Sequence, residues 1–398
     1  MPQDRPDRRA LLVEPQPFYT DRGTPIAVRY VLRALSEMGW SVDVLTFPIG
    51  QPVDLPNVRL HRVGNPLGFA HVAVGFSPQK LFLDGLLAMD LVRRLRRERY
   101  DVVHAVEEAA FLVAGLRPGR RPPMVYDMAS SLPEQLAQKK ALRGPALQRG
   151  FHGAERWLLH QAGCVVCSAG LAGHVRRAAP GVAFREWRFP AEEEHADPAE
   201  VARLRQELAI PAGSRVFLYL GNFAAYQGVD LLLAAAARVL AERPEAVFLC
   251  VGAASQAELD GAAARFPKAL QDRVRLVGRQ PRERVAAYLT LADILVSPRS
   301  YGANFPLKLF DYLATGKAIV ATGIEAHTCV LDDRIARLVP PTPEGLADGI
   351  ATLIARPDEA ARHAAAALDF ARRELSWDSF KALVADVYAT AMAGAPRA

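Results

Sequence analysis

The sequence predicts an α/β protein with two domains, each built on a parallel β-sheet covered by helices. The chain has 398 residues, of which 51% are hydrophobic, and one hydrophobic core rarely serves more than about 250–300 residues. Short apolar runs alternate with helical segments along most of the chain. This alternation is typical of parallel sheets with helices on both faces.

Six strand-like runs define the first domain. The helix that follows the first run, over residues 26–39, has an apolar stripe along one side. The stripe consists of Ile26, Tyr30, Leu32, Leu35 and Met38. Strands are predicted at 10–14, 41–47, 58–63, 101–106, 123–128 and 163–168. The stretch 186–200 is polar, acidic and interrupted by proline, which predicts a linker between the domains.

The second domain repeats the alternation after the linker. Strands are predicted at 215–221, 246–252, 273–278, 293–298, 318–322 and 334–340, with helices at 228–242 and 256–266. Residues 376–392 form a last amphipathic helix. We therefore predict a first domain over 1–190, a second over 191–375, and a terminal helical segment over 376–398.

Several classes of protein are disfavoured by missing motifs. No 18 uninterrupted apolar residues occur, so no transmembrane helix is predicted, and the start lacks the apolar region of a secretion signal. A dinucleotide fingerprint, a P-loop, a nucleophile elbow and a D-x-D carboxylate pair are also missing. We therefore expect no bound metal and no dinucleotide cofactor.

The four cysteines favour a reducing compartment, and hence a cytoplasmic location. Cys164 and Cys167 form a C-x-x-C within a predicted strand, where this spacing places them on opposite faces. The arrangement favours two buried structural cysteines over a redox or metal pair.

The net charge of +6 is unevenly distributed. Residues 1–190 contain 26 Lys or Arg and 17 Asp or Glu, whereas residues 191–398 contain 23 and 26. The basic first domain either has solvated helix faces or faces an anionic partner, such as a membrane surface or an acidic acceptor. Nucleic acid is not expected, since no aromatic-rich or helix-turn-helix pattern accompanies the charge.

The stretch SYGANFPLKLFDYLATGKAIVAT (300–322) raises a specific question about Lys308. Pro306 suits the first turn of a helix, with Asn304 as a possible cap, and Gly316 suits its end. Lys308 then lies in the first turn, where the helix dipole disfavours a cation. A bound anion such as phosphate would explain it. The alternative is a surface lysine paired with Asp311 one turn later.

Glycines follow several strands of the second domain. Gly221, Gly252 and Gly278 end predicted strands, and Pro298 ends another. Parallel sheets bind ligands at the carboxyl ends of their strands, and glycine allows close approach of backbone to a ligand. We expect the loops after these strands to converge on a binding site.

The chain resembles the family 4 retaining glycosyltransferases of the GT-B fold along most of its length. The stretches that carry the resemblance are FPLKLFDYLATGKAIVATGIEAHTCVL, YLGNFAAYQGVDLLLAA, YDVVHAVEEAAF and RGTPIAVRYVLRALSEMGWSVDVLT. The resemblance implies two Rossmann-like domains facing each other across a cleft, with the terminal helix returning to the first. It also implies a nucleotide-sugar co-substrate, UDP- or GDP-sugar being expected, on the second domain, and a glycan or lipid-linked acceptor on the first.

The donor-site residues implied by the resemblance match only in part. The family has an arginine and a lysine after the first strand of the second domain, where this chain has Asn222 and Gln227 after Gly221. Ala303 and Asp311 stand at the positions of two family glutamates. A branch with G-x-N-x-P-L-K in this loop matches better, and Lys308 then supplies the missing phosphate charge. The donor-binding loop of that branch corresponds to Gly302, Asn304, Phe305, Pro306 and Leu307, followed by Lys308.

Three further positions follow from the resemblance. Gly23 approaches the donor phosphates, and the backbone of Arg279 meets the base. His104 lines the catalytic cleft, although a histidine at a strand end is as often structural. Glu107 and Glu108 follow in the adjacent loop and are expected to orient the acceptor; the alternative for one of them is an acid at a helix N-terminus. The implied reaction transfers a hexose-type sugar with retention; the alternative is an inactive nucleotide-sugar-binding scaffold, motivated by the replaced arginine, lysine and glutamate.

Overall fold

A computed structural model describes residues 8–20, 23–72, 77–116, 121–137, 144–191, 196–302 and 305–394. The chain divides into two compact units. The first unit is Met1–Phe189 together with Asp378–Ala398, and the second is Pro190–Trp377. Within the described residues, no helix is long and apolar enough to cross a bilayer.

The first unit contains a seven-stranded sheet in the order β3-β2-β1-β4-β5-β6-β7, in which every pairing is parallel. Its strands are β1 (Arg9–Glu14), β2 (Ser41–Thr46), β3 (Val58–Arg62), β4 (Val102–Val106), β5 (Met124–Met128), β6 (Cys164–Cys167) and β7 (Phe184–Glu186). The central strands β4, β5 and β6 are buried along their whole length, as expected for a sheet covered on both faces.

The helices of the first unit cover this sheet. They are α1 (Gly23–Glu37), α2 (Pro78–Arg97), α3 (Ala109–Ala114), α4 (Leu132–Ala137), α5 (Pro145–Gln161) and α6 (Ala169–Ala178). Helix α2 begins after Ser77, whose side chain accepts a hydrogen bond from the Lys80 amide. Its apolar face buries Leu83, Leu87 and Leu91.

The second unit contains a six-stranded parallel sheet in the order β10-β9-β8-β11-β12-β13. Its strands are β8 (Arg215–Leu220), β9 (Ala246–Ala253), β10 (Val274–Gly278), β11 (Ile294–Ser297), β12 (Ala318–Thr322) and β13 (Arg337–Val339). Its helices are α7 (Pro198–Glu207), α8 (Val229–Glu242), α9 (Gln256–Ala263), α10 (Lys268–Gln271), α11 (Arg282–Leu291), α12 (Lys308–Ala314), α13 (Glu325–Thr328), α14 (Pro343–Ala355) and α15 (Pro357–Glu374). The two sheets confirm the predicted α/β fold class.

Two local predictions differ from the structure. The predicted linker 186–200 overlaps ordered elements: β7 runs to Glu186, and α7 begins at Pro198 with Asp197 as its cap. The polar composition of this stretch concealed both elements. In addition, β7 is short and lies at a sheet edge. The helix expected to start at Pro306 begins at Lys308, with Leu307 at the cap position.

The last helix, α16 (Trp377–Ala393), packs almost entirely within the first unit. Arg185 donates to Asp386 over 2.5 Å, and Phe380 packs edge-on against Tyr30. The backbone of α16 also passes close to Gly163, because a Cβ there would lie 2.3 Å from the Ala391 carbonyl oxygen. A glycine is therefore required at this crossing.

Candidate functional site

Glycines bring the strand-end loops of the second unit together. Gly228 has a left-handed φ of 70°, and a Cβ on it would lie 2.0 Å from the Pro298 carbonyl oxygen. Gly252 has a φ of 122°, and its Cβ would lie 2.4 Å from the Gly221 carbonyl oxygen. The loop after β8 therefore touches the end of β9 and the loop after β11 through backbone contacts at the carboxyl edge of the sheet. Only glycine permits contacts of this kind.

Lys308 lies beneath this loop cluster. Its Nζ is buried and has no hydrogen-bond partner among the described residues, and it lies 4.0 Å from the centre of the Tyr219 ring. The expected alternative partner, Asp311, is instead paired with Arg282 at 3.1 Å. Burial, together with the nearby Arg299, lowers the pKa of Lys308 to about 7. The site thus contains a buried cation to which no described anion is bonded, which is unfavourable unless a ligand supplies one.

Arg299 is the second cation of the site. Its guanidinium lies 5.0 Å from the centre of the Tyr226 ring, and its Nε donates to the Tyr301 carbonyl over 3.1 Å. Burial lowers the pKa of Arg299 as well. Gly302 passes close to this side chain, since a Cβ there would lie 2.9 Å from Nη2. Two cations at the carboxyl edge of a parallel sheet create the positive potential that a phosphate group requires.

The loop after β8 supplies polar groups but no cation in its described residues. Asn222 is part of the loop structure: its carbonyl accepts from the Tyr219 hydroxyl at 2.7 Å, and its Oδ1 accepts from the Ala224 amide at 3.1 Å. Gln227 ends a short 3-10 turn before Gly228, and its Oε1 is buried without a hydrogen-bond partner among the described residues. This oxygen is available to accept a bond from a ligand.

A buried histidine, which the sequence did not indicate, positions Arg299. Burial lowers the pKa of His327 to about 4, so the ring is neutral. Its Nδ1 donates to the Thr322 carbonyl over 2.7 Å, and its Nε2 accepts from the Ser297 hydroxyl over 3.0 Å. The Thr322 hydroxyl then donates to the Arg299 carbonyl over 2.5 Å. One feature of the sequence could have indicated this network: Ser297 ends β11, and Thr322 ends the neighbouring strand β12.

The other predicted donor residues surround the same edge. Phe305 is buried and lies edge-on to Phe310 at 4.8 Å, and the Arg279 amide donates to the Ala253 carbonyl over 3.1 Å. Pro306 and Leu307 accept bonds from amides in the first turn of α12. Asn304 and Ala303 lie outside the described residues, so the predicted cap and the first family position have no structural description.

His104 lies inside the first unit. It has no exposed surface, its Nδ1 is 2.9 Å from the Tyr388 hydroxyl, and its Nε2 is 3.3 Å from Asp127 Oδ2. Trp187 donates to the other oxygen of Asp127 over 3.0 Å. Both ring nitrogens therefore have partners, and one of these partners belongs to α16. This geometry favours the structural alternative for His104.

We expect Tyr388→Phe to lower the free energy of unfolding by about 1–2 kcal/mol, because it leaves a buried nitrogen of His104 without its partner. Turnover is expected to remain close to that of the wild type. Denaturant unfolding and steady-state kinetics on the same preparation test both expectations. A large loss of turnover at unchanged stability would contradict the structural role of this network.

Acidic side chains gather at the carboxyl edge of the first sheet. Glu107 and Glu108 follow β4 directly, and the Ser130 hydroxyl donates to both oxygens of Glu107 at 3.0 and 3.1 Å. Lys80 of α2 forms an ion pair with Glu108. Gly23, the predicted phosphate contact, begins α1 and is exposed. In the part of the chain that the structure describes, no three His, Cys, Asp or Glu side chains are arranged to hold a metal ion.

Two family models match the chain. The model described as Glycosyltransferase Family 4 matches residues 22–180, and the model described as Glycosyl transferases group 1 matches residues 214–356. Each matched segment falls within one of the two units.

Two curated relatives are D-inositol 3-phosphate glycosyltransferases. The protein of Thermobispora bispora is 29% identical over 205 residues, covering 49% of this chain and 47% of the relative, so the chain spans about half of that protein. The protein of Streptosporangium roseum is 28% identical over 404 residues, covering 93% of this chain and 89% of the relative.

Solved structures share the fold along nearly the whole chain. The sucrose-phosphate synthase of Thermosynechococcus elongatus has a TM-score of 0.78 at 22% identity, covering 97% of this chain and 99% of its own. The Anabaena protein HepE, solved in complex with UDP-glucose, has a TM-score of 0.74 at 18% identity, covering 96% and 99%. At these identities the likeness shows a common GT-B fold.

Proposed function

We propose that this chain is a retaining hexosyltransferase of the family 4 glycosyltransferases, since the two glycosyltransferase models match residues 22–180 and 214–356. It moves a sugar from a nucleoside diphosphate sugar to a hydroxyl group of a glycan, glycolipid or small-molecule acceptor. The observation that carries this proposal is the buried Lys308 Nζ, which has no hydrogen-bond partner among the described residues and lies at the carboxyl edge of the second sheet.

The donor diphosphate is the anion that this site accommodates in the proposal. Lys308 and Arg299 stabilise the charge that develops on the leaving phosphates, and this is the term that contributes most in reactions of this type. The Gln227 Oε1 accepts a hydrogen bond from the donor, and the backbone near Arg279 contacts the base. Support for a UDP-sugar comes from HepE, which was solved with UDP-glucose; a GDP-sugar is the second candidate.

Retention follows from a front-face reaction in this proposal. The bond between the anomeric carbon and the leaving phosphate oxygen breaks as the acceptor hydroxyl oxygen attacks from the same face. The hydroxyl proton passes to the leaving phosphate, so the step requires no protein nucleophile. Lys308 and Arg299 meet the charge of the leaving group, and the proposal needs no divalent cation for this purpose.

A second candidate is an inactive nucleotide-sugar-binding protein. It is favoured by the loop after β8, where Asn222 is held in hydrogen bonds within its own loop and no described residue supplies a cation. Such a protein would bind the donor but would lack the charge needed to expel the diphosphate.

Nucleotide release distinguishes the two candidates. Purified protein is incubated with UDP-, GDP-, ADP- and dTDP-sugars, with and without crude cell glycolipid. Release from one donor that increases with the acceptor and is lost in Lys308→Met supports the transferase. Thermal stabilisation by a nucleotide without release from any donor supports the inactive binding protein.

We also propose that the first unit contacts an anionic membrane surface. We define the apolar patch as the exposed side chains Leu67, Leu81, Phe82 and Met89. Next to it, a shallow cavity of about 520 Å³ is lined by residues that include Leu86, Met89 and Arg93. The last turns of α2 carry the exposed Arg93, Arg96 and Arg97. Exposed apolar groups beside arginines fit the cytoplasmic face of a membrane, where a lipid-linked acceptor would be reached.

We expect the protein to co-sediment with phosphatidylglycerol vesicles at low salt and to dissociate as salt rises, because the charge contribution is screened. The double variant Leu81→Ser/Met89→Ser should bind about tenfold or more weakly, since each buried apolar side chain contributes about 1.5–3 kcal/mol. Leu147→Ser is the control, because Leu147 is similarly exposed but lies on α5. Equal losses in both variants would contradict a role for the apolar patch.

A further inference from the structure

A carboxylate cluster occupies the carboxyl edge of the sheet in the first unit. We define the cluster as Glu14, Asp84, Glu107, Glu108 and Asp127. Four of its members lie at the ends of β1, β4 and β5, which are adjacent in the sheet, and Asp84 comes from α2. Loops at this edge carry ligand sites in parallel sheets. The cluster belongs to the first unit, whereas Lys308 and Arg299 belong to the second.

The hydrogen bonds of the cluster are incomplete. Glu108 is paired with Lys80, Glu107 accepts from Ser130, and Asp127 accepts from Trp187. Glu14 is completely buried, and neither of its oxygens has a hydrogen-bond partner among the described residues. Buried carboxyl oxygens are rarely left without a donor in native proteins. The two oxygens of Glu14 therefore indicate a missing donor.

A second carboxyl group of the cluster also has a buried oxygen without a donor. Asp84 Oδ1 also has no hydrogen-bond partner within the described part of the chain. Burial raises the pKa of Asp84 to about 7, with a smaller contribution from the negative charge of Glu108. Burial and the neighbouring Glu108 likewise raise the pKa of Glu107 to about 8. Lys80 already acts against both shifts, and a second cation placed among these groups would reduce them further.

Glu107 is held in an unusual backbone conformation. Its φ is +51°, which side chains other than glycine seldom adopt. Its amide donates to the Asp127 carbonyl over 2.9 Å, and this bond ties the turn after β4 to β5. The conformation directs a carboxylate to the sheet edge at a cost in free energy, and strained residues of this kind cluster at functional sites.

We propose that the carboxylate cluster binds a protonated amine of the acceptor, so that the acceptor is an amino sugar or another amine-bearing polyol. This inference rests on the proposed glycosyltransferase function. An ammonium group has three donors and forms charge-assisted bonds to carboxylates. In this proposal the ammonium group donates to the unpartnered oxygens of Glu14, while other carboxylates of the cluster accept from neighbouring hydroxyl groups of the same ligand.

Two other ligand classes fit the cluster less well. A metal ion requires oxygen ligands at about 2.0–2.6 Å, and no three described side chains are arranged to provide them. A phosphate-bearing acceptor, such as the one named in the D-inositol 3-phosphate glycosyltransferases, would meet repulsion from the carboxylates. The inferred acceptor thus differs in charge from that of the relatives.

Calorimetric binding in the absence of any donor tests the inference. Glucosamine, N-acetylglucosamine, glucose and inositol 3-phosphate are titrated at about pH 6.5, where Asp84 and Glu107 are largely protonated. The titratable groups that neighbour the five carboxylates are Lys80, His104 and Tyr126. We expect glucosamine to bind about tenfold or more tightly than N-acetylglucosamine, with proton release seen as a dependence on buffer ionisation enthalpy.

Isosteric variants locate the binding. Glu107→Gln and Asp84→Asn should each weaken glucosamine binding about tenfold, whereas Glu37→Gln, on the surface of the same unit, should not. Thermal unfolding establishes whether each variant is folded. If Glu107→Gln does not fold, Asp84→Asn, which lies on a helix, still provides the test. Equal affinity for glucosamine and N-acetylglucosamine, or preference for inositol 3-phosphate or Mn²⁺, would overturn the inference. Because no donor is present, such a result leaves the nucleotide-release test of transferase activity unaffected.

Discussion

Lys308→Met is expected to reduce turnover by about 10²-fold or more while making the free protein more stable. The loss of turnover follows because one charge-stabilising group at the leaving diphosphate contributes on this scale. The gain in stability follows because the wild-type Nζ is buried without a hydrogen-bond partner among the described residues. Methionine fills the same space without a charge, and replacement of buried charges by apolar groups often stabilises by about 1–4 kcal/mol.

Steady-state nucleotide release and denaturant unfolding measure the two effects on the same preparation. The matched control is Lys317→Met. Burial also lowers the pKa of Lys317, but this residue precedes β12 at the amino edge of the sheet, away from the strand-end loops. The control should keep wild-type turnover. Near wild-type kinetics in Lys308→Met would remove this lysine from the reaction, whatever its effect on stability.

The stability difference between wild type and Lys308→Met should depend on pH. The folded-state pKa of Lys308 is about 7, below its ordinary value of 10.5. Between these values the unfolded chain binds more protons than the folded one, so the wild type gains stability as pH rises. The advantage of the methionine variant should therefore be largest below about pH 7 and shrink towards about pH 10. An advantage that does not change with pH would mean that folding does not lower the pKa of Lys308.

The fold was predictable because its signals are local and repeated. Every strand of the second sheet was predicted within about three residues of its bounds, since buried parallel strands appear as short apolar runs. The strand β7 and the start of α7 were not predicted, because tertiary pairing stabilises a short edge strand whose own sequence is polar.

Within the candidate site, the residue that local sequence rules singled out most clearly was the one that broke such a rule. Lys308 stood out as a cation in the first turn of a helix, and the structure shows it without the Asp311 partner that the alternative required. Arg299 and His327 were not identified, because their importance depends on which loops the sheet brings together. The unsatisfied oxygens of Glu14 were not identified for the same reason: a glutamate at the end of an apolar strand gives no indication of its neighbours.

Gly228→Ala is expected to reduce both stability and turnover, because this glycine brings together the loops after β8 and β11, which form the proposed donor site. Its left-handed φ of 70° alone would cost an alanine about 1–2 kcal/mol. In addition, the new Cβ would lie 2.0 Å from the Pro298 carbonyl oxygen, so the backbone must move. The displaced segments carry Gln227 on one side and Arg299 on the other. A misplacement of about 1 Å can lower turnover about 10²-fold.

Gly213→Ala separates the two causes. Gly213 has a similar φ of +78°, but a Cβ there would meet no atom within 4 Å. It should therefore lose only the conformational part of the stability and none of the turnover. Nucleotide-release kinetics and denaturant unfolding on both variants provide the comparison. If Gly228→Ala lost no more turnover than Gly213→Ala, the contact between the loops after β8 and β11 would not be needed for the reaction. If Gly228→Ala loses more turnover than Gly213→Ala, the reaction depends on a backbone contact that no side chain can replace. The two cations of the proposed donor site would then not be sufficient for the reaction.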